Sequence, residues 1–526
     1  MTAMTAGAVP PRAVNKWVVA ISIAFGSLMA AIDSSIVGVA MPAIRGELGA
    51  SLQEMTWVST AYMIAMVLVM PLTGFLGAVF GQKRFYLVSL IVFVAGSALC
   101  GQARSLEALI LFRVIQGLGG GALQPTQQAI LRQTFPPQEQ AMAMALFTMV
   151  IMLGPALGPV LGGWITETYH WPWIFYINLP VGLLGIFLTW RNVHEPDDVV
   201  AANQARAARM KADFDWAGLG FMTVFVCATQ FFFEEGAQQD WFESSQVVVA
   251  AFTAVIAGAA FTIRELTAAQ PIVNLRLLRD PTFASGTAIA TVMFGLLMGS
   301  MFLLPIFTQE ILRFPATLAG LVLIPRTLAM MVASPIIGRV YNKVAPAWII
   351  AVGVLLFVVG NWQLSHITLD TSSTDLVVPL VVTGFAFACL FVPLTTAALS
   401  RIPRHELAEA AGINSFFRQI GGSIGLTVVT TVFTRYTAQA TSALRDHVTL
   451  LRPEVAAQVA AMHASGLSDA GIVARLQGAV ATQGAVLGFE KAFLLQGGTF
   501  LLVLPLLLFL RVDRSQPAPK VDVHAE

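Results

Sequence analysis

Long apolar runs separated by short polar stretches dominate this chain. A helix needs about 20 mostly apolar residues to cross the hydrocarbon core of a bilayer. Runs of that kind predict spans at 17–41, 55–79, 85–103, 107–131, 141–165, 173–191, 216–234, 246–264, 283–308, 316–341, 347–365, 376–399, 408–434 and 491–511. That makes fourteen, and an even number places both termini on one side. The first run, from Trp17 to about Ala43, exceeds the apolar core of a signal peptide and reads as a first span.

Composition strengthens the membrane reading. Of the 526 residues, 56% are hydrophobic and only 11% charged, against about 25% charged in a soluble domain. A soluble chain of this length has no place to hide so much apolar surface. The net charge of +1 gives no reason to expect nucleic acid. Cys100, Cys227 and Cys389 all sit inside apolar runs and read as small buried hydrophobes, not as a disulfide or metal framework.

Lys and Arg in short loops set orientation. One set of loops carries Lys83, Arg84, Arg206, Arg209, Lys211, Arg276, Arg279, Arg339, Lys343, Arg401 and Arg404, and the tails add Arg12, Lys16, Arg511, Arg514 and Lys520. The opposite loops carry Arg45, Arg104 and Arg313, with an acidic patch of Glu234, Glu235, Asp240 and Glu243. Both tails are therefore expected in the cytoplasm. Trp57, Trp171, Trp173, Trp241 and Trp348 lie near predicted span ends, where interfacial aromatics belong. Residues 192–213 read as a charged cytoplasmic connector. Residues 436–489 read as a long external segment with two short helices, Pro453–Ser465 and Ser468–Val480, broken at Gly466. That segment is either a solvated hairpin or a docking surface for another protein.

A charged group inside a span costs about 2.5–3.5 kcal/mol on insertion scales, so intramembrane polar residues are functional candidates. Here they are Asp33 in span 1, Arg113 in span 4, Arg326 in span 10, and Asn414, Arg418 and Gln419 in span 13. Asp33 is the candidate proton carrier and Arg113, permanently charged, its switching partner. Span 5 reads Gly154-Pro155-x-x-Gly158-Pro159-x-x-Gly162-Gly163. Small residues at this spacing let a neighbouring helix approach closely, and the prolines remove backbone donors and permit bending.

These stretches resemble a known family. The span 5 pattern is similar to the antiporter signature of the major facilitator superfamily. Leu111-Phe112-Arg113-Val114-Ile115-Gln116-Gly117 resembles its span 4 motif, and Gln116 joins the candidate cavity residues through it. Residues 33–42, from Asp33 to Pro42, and 171–182, from Trp171 to Gly182, resemble motifs of its fourteen-span drug:proton antiporters of EmrB/QacA type. The resemblance runs over nearly the whole chain. It implies an all-α membrane fold of two six-helix bundles, at 17–191 and 283–511, around a central cavity. It also implies two inserted helices at 216–264, a connector at 192–215, and tails at 1–16 and 512–526. Expected activity is proton-coupled efflux of lipophilic drugs from the inner membrane, driven by the proton gradient without a cofactor. The 436–489 loop would meet a periplasmic membrane-fusion adaptor that works with an outer-membrane channel. The sequence departs from the pattern in the span 2–3 loop, Gly74 to Arg84. Gly74, Gly81, Lys83 and Arg84 are kept, but Ala78 and Val79 stand where the family has Asp and Arg. The related stretch at 338–343 has Asn342 in place of an acid, and Gly38 replaces a usual Asn.

Other readings fail on context. Gly421-Gly422-Ser423-Ile424-Gly425 matches a nucleophile elbow as a string, with Asp446 and His447 downstream. It lies in an apolar helical run, whereas the elbow needs a strand–turn–helix. His405-Glu406 lacks the second His of a zinc protease, because Glu409 stands there. There is no phosphate-binding loop of Walker type for ATP, and no ring of like charges for a channel filter. Export of one endogenous compound, such as a siderophore, lipid or peptide, remains the alternative within transport.

Overall fold

The computed structural model describes residues 15–196, 198–203, 207, 214–236, 239 and 241–510. Arg12, Arg206, Arg209, Lys211, Asp240, Arg511, Arg514 and Lys520 lie outside that set. Among the described residues, thirteen helices are long and apolar enough to cross a membrane, and a bent pair supplies a fourteenth.

The N-terminal bundle comprises α1 (Lys16–Leu48), the bent span α2 (Leu52–Val69) and α3 (Thr73–Phe80), α4 (Gln82–Cys100), α5 (Leu106–Thr134), α6 (Gln140–Thr168), and the span made by α7 (Trp173–Tyr176) and α8 (Asn178–Asn192). Two inserted helices follow, α9 (Trp216–Glu235) and α10 (Ser245–Thr267). The C-terminal bundle holds α11 (Pro281–Ile306), α12 (Ala316–Val322) with α13 (Ile324–Val340), α14 (Pro346–Leu364), α15 (Val377–Ala398), α16 (Leu407–Arg445) and, after the short α17 (Pro453–Ala464), α18 (Asp469–Leu501).

Local chemistry starts these helices where the apolar runs begin. Ser51 and Glu54 form a reciprocal capping box on α2. Ser105, Asp215, Asp280 and Ser468 each accept a backbone N–H in the first turn of α5, α9, α11 and α18. Gly49 ends α1 in the left-handed conformation, φ 66°. The 59° bend between α2 and α3 falls at Met70–Leu72, where Pro71 supplies no N–H.

The external segment differs from expectation. The first short helix is found at Pro453–Ala464, but α16 runs on to Arg445 and the second short helix is the start of a single α18. The cause is small-residue packing: a Cβ at Gly484 or Gly488 would collide with the Thr441 or Thr437 hydroxyl of α16. Burial at Val486 and Phe489 likewise starts the packed part of the last span before residue 491.

The two bundles meet directly at the end that carries the basic loops. Arg132 donates to the Thr396 carbonyl, and Gln133 and Arg404 exchange side-chain-to-carbonyl bonds of 3.0 and 2.7 Å. Gly338 packs on Ala141, Gly412 on Met70, and Gly74 on Glu409. Lys16 pairs with Glu139 at the same end, at 2.6 Å. Toward the opposite end, α9 bridges the bundles. Glu234 accepts from Thr60 of α2, while Gln230 accepts from Ser423 of α16 at 2.9 Å. Ser34, Gly38, Leu111 and Leu118 are exposed on that half of α1 and α5.

The span 5 glycines lie in α6 as one track against α1. A Cβ at Gly154 would meet Ala31, at Gly158 the Ser35 hydroxyl, and at Gly162 the Ile36 side chain and carbonyl. Ser35 donates across this seam to the Gly154 carbonyl at 3.0 Å. Gly163 faces open space. Overpacking a tight seam costs about 1–3 kcal/mol. Gly158→Leu is therefore expected to lower the melting temperature of the purified protein by several degrees, and Gly163→Leu to leave it unchanged. Equal melting curves would show that the seam does not hold α1 in place.

Candidate functional site

Asp33 lies in the middle of α1, and its carboxylate is fully buried. Three N–H donors converge on it. Arg113 Nη1 of α5 reaches Oδ2 at 2.6 Å. Gln116 Nε2, one turn further along α5, reaches Oδ1 at 2.8 Å. Asn178 Nδ2, at the start of α8, reaches the same oxygen at 3.0 Å. Arg113 and Gln116 are three residues apart, so α5 presents both on one face.

Each donor is itself held. Arg113 Nε bonds the Val58 carbonyl of α2 at 3.2 Å, and Nη1 also bonds Gln116 Oε1 at 2.8 Å. Its guanidinium lies 3.9 Å over the Tyr62 ring and 5.8 Å from that of Phe175, an orientation that favours a cation. Asn178 Nδ2 bonds Ser97 Oγ at 3.0 Å, and Ser97 donates to the Phe175 carbonyl at 2.9 Å. Six helices of one bundle, α1, α2, α4, α5, α7 and α8, thus hold a single carboxylate.

The donor set fits an ionised carboxylate, which only accepts hydrogen bonds.

The other candidates fall into separate groups. Arg326 donates to Ser300 Oγ at 3.1 Å inside the C-terminal bundle, where Asn414 Nδ2 bonds Thr287 Oγ1 at 3.1 Å. Arg418 and Gln419 cross to the other bundle. Arg418 Nη2 meets Gln124 Oε1 of α5 at 3.2 Å, and Gln419 Nε2 meets Met63 Sδ of α2 at 3.6 Å. In the α3–α4 loop, Gly81 has φ +86° and the Lys83 backbone N–H donates to Glu195 at 2.9 Å. Arg84 is exposed. Gly154, Pro155, Gly158, Pro159, Gly162 and Gly163 belong to α6, whose seam places Ala31 and Ser35 on either side of Asp33.

Sequence reasoning named Asp33, Arg113 and Gln116 but assigned no role to Asn178, Ser97, Tyr62 or Phe175. Asn178 had a signal, because it lies inside the 171–182 motif. Tyr62 had none: an aromatic in an apolar run is indistinguishable from lipid-facing or core residues.

Residues 23–426 match the family profile of the Major Facilitator Superfamily. The chain belongs to this superfamily. It is 34% identical over 492 residues to the multidrug export protein EmrB of Haemophilus influenzae, covering 93% of this chain and 94% of that protein. It is 31% identical over 488 residues to the fatty acid resistance protein FarB of Neisseria gonorrhoeae, with the same coverages. The fold is similar to that of the proton:xylose symporter XylE, with a TM-score of 0.60 at 12% identity over 93% of this chain and 94% of that one. These matches make it a multi-pass membrane transporter of the EmrB type, with two six-helix bundles and an inserted pair.

Removing one partner of a buried ion pair strands the other and costs about 3–5 kcal/mol. Asp33→Asn is therefore expected to lower the melting temperature, through the unpaired Arg113, besides changing transport. Adding Arg113→Gln is expected to restore most of the stability without restoring activity. A single variant as stable as the wild type would mean that the pair is not load-carrying in the fold.

Proposed function

We propose that this protein is a multidrug efflux transporter of the inner membrane that exchanges lipophilic small molecules for protons by alternating access. The observation that carries the reading is Asp33. It is a fully buried carboxylate held by a permanent cation at 2.6 Å, in a fold whose relatives include a multidrug export protein. Coupling needs a group that binds a proton in one arrangement of the helices and an internal cation in another. Asp33 and Arg113 are that pair.

By the positive-inside rule, the basic end is the cytoplasmic one, so both termini are cytoplasmic. The direct bundle contacts at that end, through Arg132, Gln133 and Arg404, then close the inner side. Ser34, Gly38 and Leu118 are exposed on the other half of α1 and α5, which this reading turns outward. In the cycle, a proton from outside reaches Asp33 and displaces Arg113 while drug leaves. Closure of the outer half and opening of the inner half then return the proton to the cytoplasm, and new drug loads. Each elementary charge moved inward draws about 2.3 kcal/mol from every 100 mV of membrane potential. The chemistry needs no cofactor.

The hairpin of α16, α17 and α18 supports a partner outside the membrane. At 39 residues, α16 is about 58 Å long at 1.5 Å per residue, roughly twice the thickness of the hydrocarbon core. Its projecting end suits a periplasmic adaptor leading to an outer-membrane channel. The name of FarB also keeps a single-compound exporter, for fatty acids or a related lipid, as the second reading.

Inverted membrane vesicles test the mechanism. Imposing a pH gradient is expected to drive uptake of lipophilic dyes, and a protonophore to abolish it. Asp33→Asn protein, inserted at equal amount, is expected to show no gradient-driven uptake. Uptake that survives both the protonophore and the substitution would overturn proton coupling at this residue.

A further inference from the structure

Arg113 is held from two sides. On one side stands the Asp33 carboxylate of α1, at 2.6 Å. On the other stand two groups of α2: the Val58 carbonyl, 3.2 Å from Nε, and the Tyr62 ring, 3.9 Å from the central carbon of the guanidinium. Tyr62 is 1% exposed, and among the described residues its hydroxyl has no hydrogen-bond partner. Buried hydroxyls are normally bonded, so what this residue contributes here is its ring face. The Phe175 ring lies farther off, at 5.8 Å.

Helices α2 and α5 also meet at the backbone. A Cβ at Gly117 would collide with the Tyr62 carbonyl, and one at Gly121 with the Met66 carbonyl. Glycines four residues apart seat α5 directly on α2, so ring and guanidinium ride on one packed pair. Helix α1 is seated in the same way on Gly154 and Gly158 of α6. Arg113 and Asp33 thus belong to different helix pairs. When a proton takes the place of Arg113 on Asp33, as the efflux cycle requires, the guanidinium keeps its charge. An unpaired charge in the interior is costly. The titratable groups beside it, among the described residues, are Asp33 of α1, Tyr62 of α2 and Cys100 of α4, and of these Asp33 alone is a carboxylate. Gln116, Asn178 and Ser97 are neutral.

We propose that Tyr62 is the positioning residue for that step: its ring face keeps the Arg113 cation on α2 while Asp33 carries the proton. This rests on the efflux reading above and names the group that receives the displaced charge. A ring face attracts a cation through its quadrupole and offers the proton no lone pair. It therefore favours the cation without competing for the proton. With Arg113 kept on α2 and α5, neutralising Asp33 releases α1 and α6 to shift as a pair.

The test is the melting temperature of the purified full chain in three series, unchanged, Tyr62→Phe and Tyr62→3,4,5-trifluorophenylalanine. Fluorine drains the negative face of the ring at nearly constant size. In Asp33→Asn, whose side chain at 33 is neutral, the trifluoro ring is expected to melt about 2 °C below the Phe ring. With Asp33 present the loss is expected to be smaller, because the carboxylate answers the charge. In Asp33→Asn with Arg113→Gln it is expected to vanish. Tyr62→Phe is expected to match Tyr throughout, since the hydroxyl is unused. An equal loss in all three backgrounds makes Tyr62 a packing residue and overturns the proposal, as does no loss in Asp33→Asn. If Asp33→Asn fails to fold, inverted vesicles with Asp33 present decide the matter. Tyr62→Phe is then expected to keep gradient-driven ethidium uptake, and the trifluoro ring to lower it about fivefold without slowing ethidium exchange in the absence of a gradient. Equal uptake with both rings, or uptake and exchange lost together, overturns the proposal. The melting comparison needs no cargo, so a wild type without gradient-driven uptake counts against the efflux reading and leaves the ring's part decided separately.

Discussion

An ionised carboxylate in the interior of a membrane protein has no water to solvate it, and every oxygen lone pair must be answered from within. That constraint organises the N-terminal bundle. Arg113, Gln116 and Asn178 answer Asp33, and Val58, Tyr62 and Ser97 hold the answering groups in turn. The helices that supply these residues are pinned to each other by one charge. The glycine track of α6 holds the same stretch of α1 from behind, at Ala31 and Ser35. Between the ion pair on one side and the glycine track on the other, α1 has little freedom except as part of a collective movement.

The second constraint is the division of labour between halves. The Asp33–Arg113 centre lies wholly in the N-terminal bundle, while Arg326 and Arg418 are buried in the C-terminal one. Communication between them must pass through the few elements that touch both. Helix α5 does so directly, through Gln124 to Arg418 and through Arg132 and Gln133 to the C-terminal chain. The inserted helix α9 does so near the other end, with Glu234 on α2 and Gln230 on α16. Helix α9 placed this way is a strap across the bundle interface.

Much of this was legible in the sequence. Apolar run length gives the spans because the bilayer fixes the length a helix must have. Asp33 and Arg113 stand out because charge is so rare in those runs. Gly154, Gly158 and Gly162 share a face by their four-residue spacing. The rest was not legible, for physical reasons. Tyr62 and Phe175 act through their ring faces, and composition does not distinguish such rings from the other aromatics. The continuation of α16 and α18 beyond the bilayer depends on Thr437 and Thr441 meeting Gly488 and Gly484, a contact between residues more than forty positions apart. The neutral surroundings of Arg418 are a property of three helices that the sequence does not juxtapose.

The enclosure of Asp33 also bears on energy dissipation in an idle cell. Asp33, Arg113, Gln116 and Asn178 are each no more than 2% exposed. A carboxyl group shut in this way cannot be reached by hydronium from both compartments within one arrangement of the helices. Ions therefore cannot trickle down the gradient past a resting transporter as they would through a pore. The short circuit is prevented by the same packing that encloses the carboxylate, and a membrane crowded with this protein would still hold its charge.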